Sequence, residues 1–169
     1  MRSSGLFILL LFILIPSPTR NVASESSQET CDRIVIEKAS RKLTLYHDQD
    51  TLRAYNIALG VQPTGKKQCH GDMRTPEGRY VIDWRNRNSR YHRSLHISYP
   101  NEEDQQAAKD IGCDPGGNIM IHGLPKGFGW LGKTHATTDW TAGCIAVTNE
   151  EIEEIWDIVP DGIPVEIVP

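Results

Sequence analysis

Apolar and polar residues alternate along the first half of the chain, with the period of two that half-buried strands show. Arg33–Glu37 and Lys42–Tyr46 carry this alternation, and Leu52–Leu59 resumes it after a turn at His47–Asp50. A loop rich in Gly, Pro and Lys follows over residues 60–71. This part of the chain is therefore predicted to form a β-meander.

The second half of the chain combines short strands with two helices. Asn101 is a suitable N-cap for a helix that continues to Ile111 and stops at Gly112. Thr148 and Glu151 form a capping box for a second helix. Further strands are predicted at Arg79–Asp83, Ser94–Ser98, Asn118–Ile121, Cys144–Val147 and Ile163–Val168. The predicted fold class is therefore mainly β with two short helices.

The first 24 residues show the three features of a secretory signal peptide in the usual order along the chain. Arg2 supplies a positive start, Leu6–Ile15 is an uninterrupted apolar run, and Val22–Ser24 offers small residues for cleavage. The apolar run is too short to cross a hydrocarbon core as a helix. We expect export to the periplasm or the medium; an uncleaved anchor, or a lipoprotein attached through Cys31, is the alternative.

The net charge expected after cleavage argues against nucleic acid as a partner. Cleavage after Ser24 leaves 16 basic and 22 acidic residues, a net charge of −6, which disfavours nucleic acid. Residues 25–31 are predicted to form a flexible lead, that is, a flexible N-terminal segment before the domain. Residues 32–169 are enough for one domain but too few for two of usual size. Within that domain Arg85–Arg93, here named the arginine run, is a local basic island.

Two short motifs carry the chemistry of a thiol enzyme. Cys144 lies within Thr141–Ile145, and His122 ends an apolar run just before Gly123. A thiol needs a nearby base to become a thiolate at neutral pH, and histidine is the usual base. A buried cysteine or a core histidine is the ordinary explanation of either residue alone. Because glycines stand beside both, and Gly143 leaves room for a carbonyl group, the pair favours a catalytic loop.

These motifs resemble those of the L,D-transpeptidase catalytic domain of bacterial cell-wall enzymes. That family has a strand ending in His-Gly, a variable loop, and Ser/Thr-x-Gly-Cys before an apolar residue, as in His122–Gly123 and Thr141–Ile145. A further mark is the Thr-Pro-x-Gly turn at Thr75–Gly78. The resemblance covers residues 32–169. It implies an L,D-transpeptidase-like β-sandwich, peptidoglycan stem peptides as substrates and no cofactor.

The resemblance also implies a reaction. Cys144 attacks the L-centre carbonyl of the third stem residue, usually meso-diaminopimelate, releases D-alanine and forms a thioester, with His122 as base. Gly123 orients the imidazole through its carbonyl, Gly143 and Cys144 offer N–H groups to the oxyanion, and His135 is the rival base. An amine resolves the thioester in a transpeptidase, whereas water resolves it in an L,D-carboxypeptidase or an amidase. A non-catalytic wall-binding module is the alternative from another class.

Three residues are expected to contact the substrate: Thr141, Trp130 and Arg74. Trp130 belongs to the aromatic, glycine-rich loop Leu124–Trp140, which is interpreted as a lid. Arg74 flanks the Thr-Pro-Glu-Gly turn, and its guanidinium suits a substrate carboxylate. Members of the family often place Arg or Asn two residues after the cysteine, where this chain has Ala146. The arginine run suits the anionic wall polymer.

Export also permits disulfides. If Cys144 is the nucleophile, three cysteines remain for a disulfide: Cys31, Cys69 and Cys113. Any bridge between two of them leaves the third as a free thiol. Cys69 and Cys113 both lie in turn-rich segments, so that bridge is favoured. A zinc site is not expected, because only the adjacent Cys69 and His70 have a short paired spacing. The sequence predicts no metal and leaves the oligomeric state open.

Overall fold

The computed structural model describes residues 30–169, so the predicted signal peptide and residues 25–29 of the predicted lead lie outside the described residues. In chain order the elements are β1 (Arg33–Glu37), β2 (Lys42–His47), β3 (Asp50–Asn56), β4 (Gly78–Asn86), β5 (Ser94–Ile97), α1 (Glu102–Asp110), β6 (Met120–His122), a 3₁₀ helix (Gly129–Thr137), β7 (Ile145–Ala146), α2 (Asn149–Ile158) and β8 (Pro164–Val168). The mainly β fold class is confirmed.

The eight strands form one hydrogen-bonded sheet in the order β3-β2-β1-β8-β4-β5-β6-β7. β4 joins the two halves of this sheet, because its first residues pair with β8 and its last residues pair with β5. The register shifts between Ile82 and Trp84, and such an irregularity bends a strand. The sheet therefore turns at β4, and β5, β6 and β7 form the half that carries the two chemical motifs.

The alternating pattern of the first strands places their apolar residues in the core. Ile34 and Ile36 of β1 are fully buried and lie opposite Leu45 and Leu43 of β2. On the other side β1 pairs in parallel with β8, which follows α2 in the chain. Each buried aliphatic side chain stabilises the fold by about 1.5–3 kcal/mol relative to its exposed form. The hydrophobic period of two thus fixes both the strands and their register.

The two predicted α-helices begin at their predicted caps. The side chains of Asn101 and Thr148 each accept a hydrogen bond from the N3 backbone N–H, and the N3 carboxylate accepts one from the N-cap N–H in both cases. The unexpected element is the 3₁₀ helix, which lies within the predicted loop Leu124–Trp140. Its threonines bond locally to carbonyl groups one turn back, and Gly132 has a positive φ of 47° at a kink. None of the helices in residues 30–169 is long and apolar enough to cross a membrane.

A buried lysine fixes the Thr-Pro-Glu-Gly turn against the sheet. Lys38 is 2% exposed, and its ammonium group donates to the carbonyls of Gly65 and Thr75 and to the carboxylate of Glu77 at 2.7–3.1 Å. The Thr75 hydroxyl accepts from the N–H of Gly60 at 3.1 Å. These bonds satisfy a buried charge and hold the turn in one position.

A disulfide ties the loop after β3 to the segment after α1. Cys69 and Cys113 are joined by a bond between their sulfur atoms, with their Cα atoms 5.7 Å apart and a sequence separation of 44. The N–H of His70 donates to the carbonyl of Asp114 beside the bridge. Cys31 and Cys144 are free thiols, and Cys31 is buried.

Removing this disulfide is expected to destabilise the protein substantially. A double variant, Cys69→Ala with Cys113→Ala, should lower the free energy of unfolding by ~4 kcal/mol, since the bridge closes a 44-residue loop in the unfolded chain. Urea denaturation of both proteins measures the difference. A variant whose stability lies within about 1 kcal/mol of the parent would show that this bridge does not restrict the unfolded chain as the entropy model requires.

Candidate active site

Cys144 and His122 line one cavity of about 340 Å³, named here the cysteine cavity. β6 and β7 run side by side in parallel, with His122 opposite Ala146, so the residue just before β7 lies near the end of β6. This pairing brings together two motifs that are 22 residues apart in sequence. The other residues that line the cavity are mostly polar: Asn86, Asn88, Ser89, Arg90, Tyr91, Ser94, Asn118 and Met120.

The geometry of His122 selects its tautomer. Nδ1 lies 2.7 Å from the carbonyl oxygen of Gly123. A carbonyl only accepts hydrogen bonds, so Nδ1 carries the proton and Nε2 keeps a lone pair. The rings of Tyr91 and Trp140 lie 4.5 and 5.8 Å from the imidazole, measured between centroids, and hold it in place. His122 is therefore oriented as a proton acceptor without an acidic side chain.

Burial keeps this imidazole neutral. His122 is 3% exposed, and desolvation lowers its pKa from 6.5 to about 4. The hydrogen bond to Gly123 favours the protonated form and opposes the shift, whereas the nearby His135 adds to it. At neutral pH the ring is consequently uncharged and able to take a proton.

The same shift makes stability depend on pH. The unfolded state binds a proton at His122 below pH 6.5, but the folded state does so only near pH 4. Stability is thus lost as the pH falls between these values, and His122 alone should lower the free energy of unfolding by about 2 kcal/mol between about pH 7 and about pH 4.5. Urea denaturation of the parent and of His122→Gln measures this loss.

An exposed histidine provides the control for that measurement. His47→Gln removes a histidine whose side chain is 56% exposed and leaves His122 in place, so the loss of stability that His122 causes should remain in this variant. The prediction is wrong if His122→Gln loses as much stability over this pH range as the parent does.

The thiol of Cys144 is also uncharged at neutral pH. Burial raises its pKa above the ordinary value, and a backbone hydrogen bond at Met120 and the charge of Lys67 oppose this only in part. Its Sγ donates to the carbonyl of Asn118 at 3.6 Å. Within residues 30–169 no hydrogen bond joins this Sγ to His122. The resting pair is a neutral thiol beside a neutral imidazole, with the thiol turned toward Asn118.

Gly143 and Thr141 shape the loop that carries the cysteine. Gly143 has a φ of 126°, and a Cβ there would lie 2.5 Å from the carbonyl oxygen of Arg74, so only glycine fits. Its N–H donates to the buried Thr141 hydroxyl at 3.0 Å, and that hydroxyl donates to the carbonyl of Cys144 at 2.7 Å. The Thr141 hydroxyl is therefore engaged within the loop, and of the two N–H groups predicted for the oxyanion, that of Gly143 already has a partner in this structure.

Two further expected substrate contacts lie elsewhere. Trp130 lies on the 3₁₀ helix and is 78% exposed. Arg74 lies against the backbone of Gly65: its Nη1 is 3.0 Å from the point at which a Cβ on Gly65 would stand. Neither lines the cysteine cavity. For Trp130 the cause is the 3₁₀ helix, which the sequence did not predict. The helix turns Trp130 outward, and the chain that follows it brings Trp140 to His122.

His135 is buried in a neighbouring cavity rather than beside the thiol. It is 5% exposed, and neither of its ring nitrogens has a hydrogen-bond partner in the described part of the chain. Burial lowers its pKa. The cavity measures about 310 Å³ and is largely apolar, with the other walls formed by Leu124, Pro125, Phe128, Leu131, Thr134, Thr138 and Trp140. Its position therefore favours His122 as the base that serves Cys144.

The wall formed by the connection between β4 and β5 is the part of the site that sequence reasoning missed. Ser94 pairs with His122 across β5 and β6, so the residues just before Ser94 reach the cavity. The arginine run drew attention to this segment by its charge. No local signal in it indicates that Arg90 and Tyr91 lie beside the cysteine.

Known proteins are similar to this chain in sequence and in fold. The family model described as "YkuD: L,D-transpeptidase catalytic domain" matches residues 32–167. The curated protein "Putative L,D-transpeptidase YafK" of Escherichia coli K12 is 30% identical over 92% of this chain, which spans 64% of that protein. This chain accordingly covers less than two thirds of its curated relative.

Two solved structures have a similar fold. The helical cell shape determining protein Pgp2 from Campylobacter jejuni is 26% identical, with a TM-score of 0.61 over 80% of this chain and 46% of that chain. Bd1075 from Bdellovibrio bacteriovorus is 24% identical, with a TM-score of 0.58 over 85% of this chain and 50% of that chain, a likeness of fold alone. Because the family model matches nearly all of the described residues, the chain belongs to the L,D-transpeptidase catalytic domain family.

Proposed function

We propose that this chain is an exported peptidoglycan L,D-transpeptidase that transfers a stem peptide to an amine through a thioester on Cys144. The observation that carries the proposal is the cavity shared by Cys144 and His122, in which the imidazole presents an unprotonated Nε2. Family membership supports peptidoglycan stem peptides as the substrate class. The similar Pgp2 is named for its effect on cell shape, which agrees with a wall substrate.

The first half of the proposed reaction is acylation. Binding of the peptide turns the thiol away from the Asn118 carbonyl toward His122, and Nε2 takes its proton as Sγ attacks the carbonyl of the third stem residue. The oxyanion accepts a hydrogen bond from the N–H of Cys144. The tetrahedral intermediate collapses, the imidazolium gives its proton to the departing amine of D-alanine, and a thioester remains. The low pKa of His122 makes its imidazolium a strong acid for this step.

The second half is resolution of the thioester. An incoming amine attacks the acyl carbon, loses a proton to Nε2, and the thiolate leaves and is reprotonated by the imidazolium. The apolar cavity that Trp140 and His135 line lies next to His122 and favours a site from which water is excluded. This observation leads us to propose transfer rather than hydrolysis.

Hydrolysis is the second candidate, and the polar walls of the cysteine cavity favour it. Several amide and hydroxyl side chains surround Cys144, and they suit an ordered water as well as a peptide. Water attacking the thioester would release a tripeptide and make the protein an L,D-carboxypeptidase.

Incubation with a tetrapeptide-containing muropeptide and a D-amino acid distinguishes the two reactions. We expect cross-linked dimers or the exchanged stem in excess over plain tripeptide, measured by mass spectrometry, and no product from a Cys144→Ala control. If tripeptide is the sole product at high amine concentration, from mildly acidic to mildly basic pH, the transferase proposal fails and the carboxypeptidase takes its place.

A further inference from the structure

The cysteine cavity contains one permanently charged side chain among the described residues that line it, and that side chain is Arg90. The remaining polar walls are amides, hydroxyls and the neutral imidazole of His122. A guanidinium cannot lose its proton in a protein, so this charge persists at every working pH. The cavity next to the nucleophile is therefore positively charged, although the chain as a whole is acidic.

The other members of the arginine run already have partners within the protein. Arg85, Arg87 and Arg93 stack on the ring of Trp156 at 4.9, 5.7 and 4.9 Å from its centroid. Arg85 and Arg93 also form ion pairs with acidic side chains at 2.7 and 3.0 Å. In residues 30–169 the guanidinium of Arg90 makes neither kind of contact, so it is available to a ligand.

The backbone around Arg90 is held in place although its side chain is exposed. The carbonyl of Arg90 accepts a hydrogen bond from the N–H of Lys126 at 3.0 Å. The next residue, Tyr91, donates its N–H to the Ser89 hydroxyl at 3.0 Å and stacks on His122. Most exposed arginines are simply solvated. Arg90 differs from them because its neighbour contacts the imidazole and it shares a cavity with the nucleophile.

We propose that Arg90 binds the carboxylate of one of the two stem residues that flank the scissile bond and thereby positions the acyl donor over Cys144. This inference rests on the proposed function and adds the group that recognises the substrate. The planar fork of a guanidinium matches a carboxylate with two parallel hydrogen bonds, which fixes orientation as well as position. The neutral amides of Asn86, Asn88 and Asn118 are suited to the uncharged peptide groups on either side.

The two residues that flank the scissile bond each carry one free carboxylate: the terminal one of D-alanine and the side-chain one of the third residue. Both have the same chemistry, so substrates amidated at one or the other identify the carboxylate that is bound. The experiment measures kcat/KM for the parent, Arg90→Gln and Arg90→Lys with the unmodified tetrapeptide and with each amidated form. Arg87→Gln is the matched control, since Arg87 belongs to the same run but lies on Trp156.

We expect Arg90→Gln to lower kcat/KM about 10- to 100-fold on the unmodified tetrapeptide, the usual effect of losing a charged hydrogen-bonded pair. Amidation of the recognised carboxylate should slow the parent to a similar degree and remove the difference between the parent and Arg90→Gln. Arg90→Lys should recover part of the loss, and Arg87→Gln should stay within about twofold of the parent. Equal losses for Arg90→Gln on all three peptides, or an equal loss for Arg87→Gln, would overturn the proposal.

Binding without chemistry separates this inference from the proposed function. In the Cys144→Ala background, NMR titration with the tetrapeptide should give a Kd that rises about 10- to 100-fold when Arg90 is also replaced by glutamine. An unchanged Kd overturns the role of Arg90 even where turnover is intact. A parent that binds the tetrapeptide through Arg90 but forms no thioester would refute the proposed reaction and leave the carboxylate site standing. No binding by Cys144→Ala would overturn both.

Discussion

Cys144→Ala is expected to abolish both turnover of stem peptides and acylation by a carbapenem, an agent that acylates the cysteine of this family. The proposed reaction has no route around the thiol, since Sγ forms the thioester bond itself. The fold should persist, because the substitution replaces one small side chain with another and the loop is braced by Thr141 rather than by the thiol. Intact-mass measurement before and after exposure to the drug records the adduct.

The second free cysteine is the control for that experiment. Cys31 is buried, and its Sγ donates to the carbonyl of Arg33 at 3.2 Å, a bond that Cys31→Ser retains. This variant should take up one adduct, as the parent does. A full adduct on Cys144→Ala would place the reactive group elsewhere, and a parent that takes up none would favour the wall-binding module over the enzyme.

His122→Ala is expected to slow acylation by at least ~10²-fold, the usual contribution of a positioned general base. The pKa of about 4 adds a signature in pH. Above that value the ring is neutral and accepts the thiol proton, whereas below it the imidazolium cannot. The acylation rate of the parent should therefore fall on the acid side with a midpoint near pH 4, well below the 6.5 of an unperturbed histidine. Stopped-flow measurement of carbapenem acylation across pH tests both statements.

His135→Ala distinguishes the two histidines. This ring lies in the neighbouring cavity, and both of its nitrogens are buried without a hydrogen-bond partner among residues 30–169, so its loss should slow acylation far less than the loss of His122. Circular dichroism checks that each variant keeps its fold. If His135→Ala proves the more damaging change, the base is misassigned and the 3₁₀ helix belongs to the catalytic machinery.

The strands and α-helices could be predicted because their signals are local. β1 spans the predicted residues Arg33–Glu37, and α1 and α2 begin at their predicted caps, since alternation and capping depend on residues only a few positions apart. The 3₁₀ helix was missed for the same reason. Glycine-rich sequence indicates a loop, and the threonine-to-carbonyl bonds that stabilise this helix leave no distinct pattern.

In the candidate site, too, the residues with a local sequence motif could be predicted and those placed by strand pairing could not. Cys144 and His122 are recognisable because each stands in a motif of its own. Arg90 is not, because only the pairing of β5 with β6 brings its segment to the cavity. The sequence places Trp130 and Trp140 in the same loop, whereas the path of the chain through the 3₁₀ helix decides which ring approaches His122.

The shielded thiol has a consequence for the lifetime of the protein under oxidising conditions. Peroxide and disulfide exchange consume the thiolate, and burial raises the pKa of Cys144 so that little thiolate exists in the resting protein. A cysteine made acidic by a charged partner would react faster with the substrate but would also be lost faster to sulfenic acid or to a mixed disulfide. In the proposed reaction, a thiol that stays neutral until the substrate arrives would let one chain keep the bridge between Cys69 and Cys113 and a reduced nucleophile in the same surroundings.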